Sequence, residues 1–190
     1  KMANADQPNG FVPKRHLTGG IIRANEYLIE NGHSTSFFSG DIVDLGSDGY
    51  LDAFANSDKA IGVFYGCEYV DEATGDVRFL KVWTANTTVK ANTSIKAYVY
   101  DDPMITYTVQ AGNGSIAQAN VGETANVLLT AGNSTYGYSQ HELDNATLGT
   151  GSLVLRVLRK VDEPDNAWAE NAKVEVTINQ HRLSTQGAGV

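Results

Sequence analysis

Three sets of side chains in this sequence could do chemistry: four histidines, several aspartates gathered near glycines, and nine tyrosines. His16, His33, His141 and His181 are far apart, and none belongs to an HExxH-like or CxxC-containing pattern that would hold a metal. The run Asp44-Leu-Gly-Ser47-Asp48-Gly49-Tyr-Leu-Asp52 is oxygen-rich and could hold calcium through carboxylates and carbonyls. Its spacing lacks the alternate acceptors and closing glutamate of an EF-hand, so a hairpin turn with solvated aspartates is the expected outcome. Asp71, Glu72 and Asp76, and the pair Asp101 and Asp102, could supply the acid and base of a glycosidase. That role depends on a spatial separation that spacing along the chain does not give. There is no GxSxG, no Walker loop and no GxGxxG between a strand and a helix. No catalytic residue, metal ligand or cofactor is therefore expected, and the chain reads as a non-enzyme.

The aromatic side chains point elsewhere. Tyr65, Tyr69, Tyr98, Tyr100, Tyr136 and Tyr138 could stack on sugars or anchor a protein interface, although core or cross-strand packing is the plainer reading. Trp168 follows Pro164 and Asn166 in a loop, which makes these three residues a candidate docking loop.

Composition narrows the classes further. A net charge of −8 with scattered Lys and Arg argues against nucleic-acid binding, which needs clustered cations to neutralise phosphates. No stretch approaches the roughly 18 apolar residues that a membrane helix needs. The first twenty residues hold Pro8 and Pro13 where a signal peptide would be apolar, so synthesis in the cytoplasm is expected rather than secretion. Cys67, the only cysteine, lies in a strand-like run and is expected to be a buried, reduced thiol. The sequons at Asn86, Asn92, Asn113, Asn133 and Asn145 then read as Asn/Thr-rich turns. At 190 residues the chain can bury one sizeable core, or two small ones fused through a shared sheet.

The elements that must position these residues are strands. Ile61, Val63, Tyr65, Cys67 and Tyr69 alternate with Gly62, Phe64, Gly66 and Glu68, and a turn over 71–76 leads to Val77–Trp83, which predicts a hairpin. Asp101-Asp102-Pro103 separates Ile95–Tyr100 from Met104–Gln110, predicting a second hairpin or a sharp bend. Ala125–Thr130, Leu153–Val161 and Lys173–Leu183 are further strands, the last with one apolar and one wet face. Ser139–Glu142 resembles a capping box for a short helix. Strands at this spacing predict a mainly β fold, an antiparallel sandwich or barrel of jelly-roll type, spanning residues 21–183 as one domain. Residues 1–20 have no sustained period and read as an extended N-terminal arm, and 184–190 as a tail. In the arm, Phe11, Val12, Pro13 and Leu17 would need apolar shelter from a partner, with Lys14, Arg15 and His16 at the rim of that contact.

Two stretches resemble the capsid cement (decoration) proteins of tailed phages. One is Met2-Ala-Asn-Ala-Asp6 with Gly10-Phe-Val-Pro-Lys-Arg-His-Leu-Thr-Gly-Gly20; the other is Leu153–Leu183 through Val161-Asp-Glu-Pro-Asp-Asn-Ala-Trp168. The resemblance extends more loosely to Ile61-Gly-Val-Phe64 and Tyr100-Asp-Asp-Pro103. It implies a virion protein on the outer capsid surface that binds the major capsid protein, commonly as a homotrimer, and stabilises the mature head. The alternatives are a carbohydrate-binding, adhesin-like β-sandwich using the same tyrosines, or another virion subunit.

Overall fold

The computed structural model describes residues 4–184, which contain fourteen strands, one 3-10 turn (Gln118–Asn120) and no α-helix. In chain order the strands are β1 (Val12–His16), β2 (Asn25–Ile29), β3 (Phe37–Phe38), β4 (Ile42–Leu45), β5 (Leu51–Ala53), β6 (Gly62–Val70) and β7 (Val77–Leu80). They continue as β8 (Val82–Trp83), β9 (Ile95–Tyr100), β10 (Ile105–Gly112), β11 (Thr124–Leu128), β12 (Glu142–Gly149), β13 (Leu155–Lys160) and β14 (Lys173–Ile178). Five of them close a barrel in the order β10-β12-β11-β13-β14, with β14 returning to β10. Every pairing in it is antiparallel except β10 with β12. A second sheet runs β2-β9-β6-β4-β5 and carries β7 on the far end of β6, while β3 and β8 form a short ribbon.

Each sheet fills its own core. Tyr107, Leu143, Leu155 and Val176 pack inside the barrel; Phe37, Leu51, Phe64 and Trp83 pack against the second sheet. The two cores meet at one wall. Ile42, Ala60 and Val63 belong to the barrel core, while their immediate neighbours Val43, Ile61 and Phe64 belong to the other. Because successive strand residues point to opposite faces, a run that is apolar at adjacent positions is what a two-sided wall requires. Gly62 sits inside this wall because a Cβ there would collide with the Tyr100 carbonyl.

Alternation along β6 is interrupted. A register shift between Phe64 and Gly66 opposite β9 forms a bulge, so that Phe64 is buried and Tyr65 turns out to solvent. Simple alternation groups Tyr65 with Val63 and Cys67, but these go to solvent, the barrel core and the second core respectively. Likewise β9 and β10 do not pair: the Asp101–Met104 bend carries the chain from the second sheet into the barrel. Ser139–Glu142 forms no helix; it leads into β12, a strand that the Thr and Asn residues of 142–149 concealed. On β14 the outer face is not wet at Glu175, which is buried beneath Arg15 and Arg159. Although burial opposes its charge, the Arg15 hydrogen bond holds that carboxyl below its ordinary pKa. Asn86, Asn92 and Asn113 adopt positive φ of 57 to 61°, as turn residues do.

The largest departure concerns the arm. Residues 12–16 form an edge strand on β10, from Val12 opposite Thr108 to His16 opposite Ile105. Phe11 is 1% exposed, lies in the barrel core, and meets Tyr107 edge-on with ring centroids 6.3 Å apart. Gly10 makes the approach possible: it has φ of +64°, and a Cβ there would strike Ser139 and the Gly40 carbonyl. The Phe11 N–H then reaches the Gly40 carbonyl at 2.9 Å. Arg15 grips Glu175 (Nε to Oε1, 2.6 Å), His16 Nε2 lies 3.0 Å from Asp102, and the Asn4 amide bonds the carbonyls of Ala167 and Glu170. The segment from residue 4 to 16 is thus part of the domain, and a boundary at residue 20 would cut a strand from its sheet. The physical reason is that the barrel itself offers Phe11 an apolar site, and Pro13 costs little on an edge strand. Residues 1–3 and 185–190, the start of the expected arm and nearly all of the expected tail, lie outside the described residues.

Removing the Phe11 ring should destabilise the isolated protein by about 3–5 kcal/mol, whereas Val12→Ala should cost less than about 1 kcal/mol. Urea unfolding of Phe11→Ala measures this; an unchanged midpoint would mean that the segment does not dock on its own barrel.

Candidate docking surface

The polar candidates are dispersed by the fold. Asp44 is half of a bidentate ion pair with Arg182, Asp48 accepts the Tyr50 N–H, and Asp52 bonds the Ala53 N–H and His33. The calcium loop is therefore a turn whose carboxylates have other partners. Among the described residues no group of three or more His, Cys, Asp or Glu could hold a metal. Asp71 accepts the N–H groups of Ala73 and Thr74 within its turn, and Asp101 accepts from Asn25 and Tyr27.

One unforeseen constellation does form. Asp41, Ser139 and His141 meet where the two cores join, all largely buried. Their order is not that of a hydrolase triad, in which the imidazole must take the serine proton. Here Ser139 bonds to Asp41 and accepts the His141 backbone N–H, and His141 Nδ1 receives the Ile42 N–H at 3.3 Å. Burial raises the pKa of Asp41 and lowers that of His141, against the attraction between the two. The Ser139 side chain is shut in by Gly10 and Gly40, which suits a structural knot.

The proposed docking loop is mostly committed to the fold. Asn166 is buried, its amide bonding the carbonyls of Val161 and Lys173 while its oxygen takes the Lys173 N–H. Trp168 is half-buried against the barrel core, and only Pro164 is exposed. Along the former arm Val12 and Leu17 remain exposed while Phe11, Arg15 and His16 are engaged internally.

What the fold leaves open is an aromatic surface centred on Tyr65. An open groove of about 490 Å³ runs between the edge strand and the second sheet, bordered by Val12, Pro13, Ile22, Tyr65, Tyr100 and Tyr138. A neighbouring groove of about 360 Å³, lined by Ala24, Phe79, Leu80 and Tyr98, shares Tyr65 and Lys81 with it. The β6 bulge supplies Tyr65, whose ring meets Tyr100 at 5.5 Å. Lys81 Nζ donates to the Tyr138 hydroxyl at 2.9 Å and lies 4.7 Å from the centroid of that ring. Tyr98 is held by Glu68 at 2.7 Å. Of the six tyrosines singled out from the sequence, Tyr65, Tyr98, Tyr100 and Tyr138 come together here, Tyr69 joins the core beside Trp83, and Tyr136 stands in solvent. Sequence reasoning passed over Phe79, Leu80 and Lys81. Their signal was a short strand, Val-Arg-Phe-Leu, with apolar residues on both faces and a charged turn beside it.

His181 is 3% exposed and forms an isolated bridge with Ala60. Its Nδ1 accepts the Leu183 N–H, and among the described residues no group bonds Nε2. Burial lowers its pKa to about 4, against the pull of Asp101 and Asp102. The unfolded chain, titrating near 6.5, therefore takes up this proton first as the pH falls. The contribution is intact above about pH 6.5 and declines toward pH 4, by roughly 3 kcal/mol in all. Urea unfolding between pH 7 and 4.5 should show a steeper loss in the parent protein than in His181→Asn; parallel profiles would contradict this. Comparison of the chain with family models, curated proteins and solved structures finds no match, so the resemblance drawn above rests on the residues quoted for it.

Proposed function

We propose that this chain is a structural binding protein that attaches to a protein lattice through the Tyr65 surface. Following the resemblance of its two ends, the lattice is the outer face of a tailed-phage head, where the protein would cement neighbouring copies of the major capsid protein. The observation that carries the reading is the gathering of Val12, Tyr65, Phe79, Leu80 and Tyr138, each at least 40% exposed, around two adjoining grooves. Contiguous apolar surface of this kind on a folded domain marks an interaction site, and tyrosines are efficient anchors because they bury a large area with few rotors.

The reading no longer uses a free arm as the clamp. A rigid body would instead place two grooves and the exposed edge of β1 against adjacent subunits at once. Engaging several subunits raises the effective concentration of each contact, so weak individual contacts hold together. Binding better to the expanded lattice than to the immature one would also favour the mature state. The same tyrosines favour a second reading, a glycan-binding surface, since their exposed rings and hydroxyls suit sugar stacking.

Co-sedimentation with mature heads lacking the protein tests the first reading. Tyr65→Ser and Tyr138→Ser should each weaken attachment about tenfold or more while leaving the unfolding midpoint nearly unchanged. Attachment indifferent to both substitutions would remove the groove from the mechanism. Saturable glycan binding lost in the same variants, without capsid binding, would establish the second reading.

A further inference from the structure

The strand β7 is an unprotected sheet edge. It pairs with β6 on one side only, and all four of its residues are exposed, with Val77 at 53%, Phe79 at 69% and Leu80 at 45%. Natural sheets guard such edges with charge, proline, bulges or a cover; three apolar residues in four leave this one open to another strand. The ladder indicates which backbone groups are free. The Asp71 N–H bonds the Asp76 carbonyl, and hydrogen-bonded pairs alternate along an antiparallel ladder. Arg78 and Leu80 therefore turn their backbone groups toward β6, and Val77 and Phe79 turn theirs outward to the free edge.

The side chains of this edge are self-complementary. Residues two apart share a face, which puts Asp76 with Arg78 on one side and Val77 with Phe79 on the other. Neither Asp76 nor Arg78 forms an ion pair within its own chain among the described residues. We infer that two copies of this chain pair antiparallel through β7 about a two-fold axis at Val77. In that register each Asp76 faces the partner's Arg78, Val77 meets the partner's Val77, and Phe79 lies over the partner's Gly75. The outward N–H and C=O of Val77 form a reciprocal pair at the axis; beyond it only the Phe79 N–H has a partner, the Gly75 carbonyl, because the Gly75 N–H is given to the Asp71 carbonyl of its own chain. A shift of one residue would set opposite faces against each other, and centring on Arg78 would oppose two like charges. The contact does not rest on the capsid reading, because it forms between free copies. It is also distinct from the three-fold assembly that the resemblance implies.

Sedimentation velocity of the purified chain should show a reversible dimer that grows with concentration. Arg78→Asp and Asp76→Arg should each raise the dissociation constant about tenfold, and the double variant should restore it. Val77→Cys should form a disulfide-linked dimer on mild oxidation, because directly opposed strand residues lie within disulfide reach, whereas Arg78→Cys should link far more slowly. A protein that stays monomeric up to its solubility limit, a charge swap that fails to restore pairing, or equal linking at both cysteines would overturn the proposal. These positions are all exposed, and unfolding midpoints close to that of the parent confirm that each variant is folded.

Discussion

The fold turns on a stretch of sheet buried on both sides. At 42–43, 60–61 and 63–64, neighbouring side chains go to different cores, so the barrel and the second sheet share one wall rather than meeting through a linker. Such a wall can carry no solvated polar face, and its backbone must be satisfied within the sheet. The polar groups that do lie at the junction, Asp41, Ser139 and His141, are tied to one another and to backbone amides, and burial raises the pKa of the acid and lowers that of the imidazole. The N-terminal segment completes this junction by placing Phe11 into the barrel core through the opening that Gly10 and Gly40 leave.

Leaving that wall has a visible cost to regularity, and the consequence is the exposed aromatic surface. Once β6 runs past Phe64 it no longer divides two cores; the bulge rotates the chain, Tyr65 faces solvent, and one side of the strand passes from β4 to β7. The same departure therefore produces both exposed features: the aromatic grooves around Tyr65 and the unguarded edge of β7. They present aromatic faces, aliphatic surface and free backbone hydrogen-bonding groups.

The arm shows how a correct local reading can yield a wrong assignment. Phe11 does need shelter, Arg15 does meet a carboxylate, and the prolines do favour an extended chain; each partner proves to lie in the same molecule. Glu175, read as part of a wet face, and Arg15, read as the rim of a contact with a neighbour, answer each other across β1, β10 and β14. On the proposed reading, binding would use a preformed surface, for which little ordering entropy is lost on contact.

The sequence by itself determined the strand content, the hairpin at 62–80, the turns at Asn86, Asn92 and Asn113 though not at Asn145, which lies in β12, the buried thiol at Cys67 and the absence of any familiar catalytic motif. These are local properties: alternation, turn chemistry and motif spacing act over a few residues and survive in any β arrangement. Burial raises the Cys67 thiol to about pKa 12, in keeping with the inert role that its place in a strand suggested. Only the tertiary structure decided that two cores share β4 and β6, that Tyr65 points out, that β9 and β10 part company, and that the first strand folds home. Those outcomes depend on which strand lies beside which and on a single-residue bulge. Because the strand period is two, one extra residue reverses every face that follows it, and no pattern read along the chain alone reveals where that residue falls.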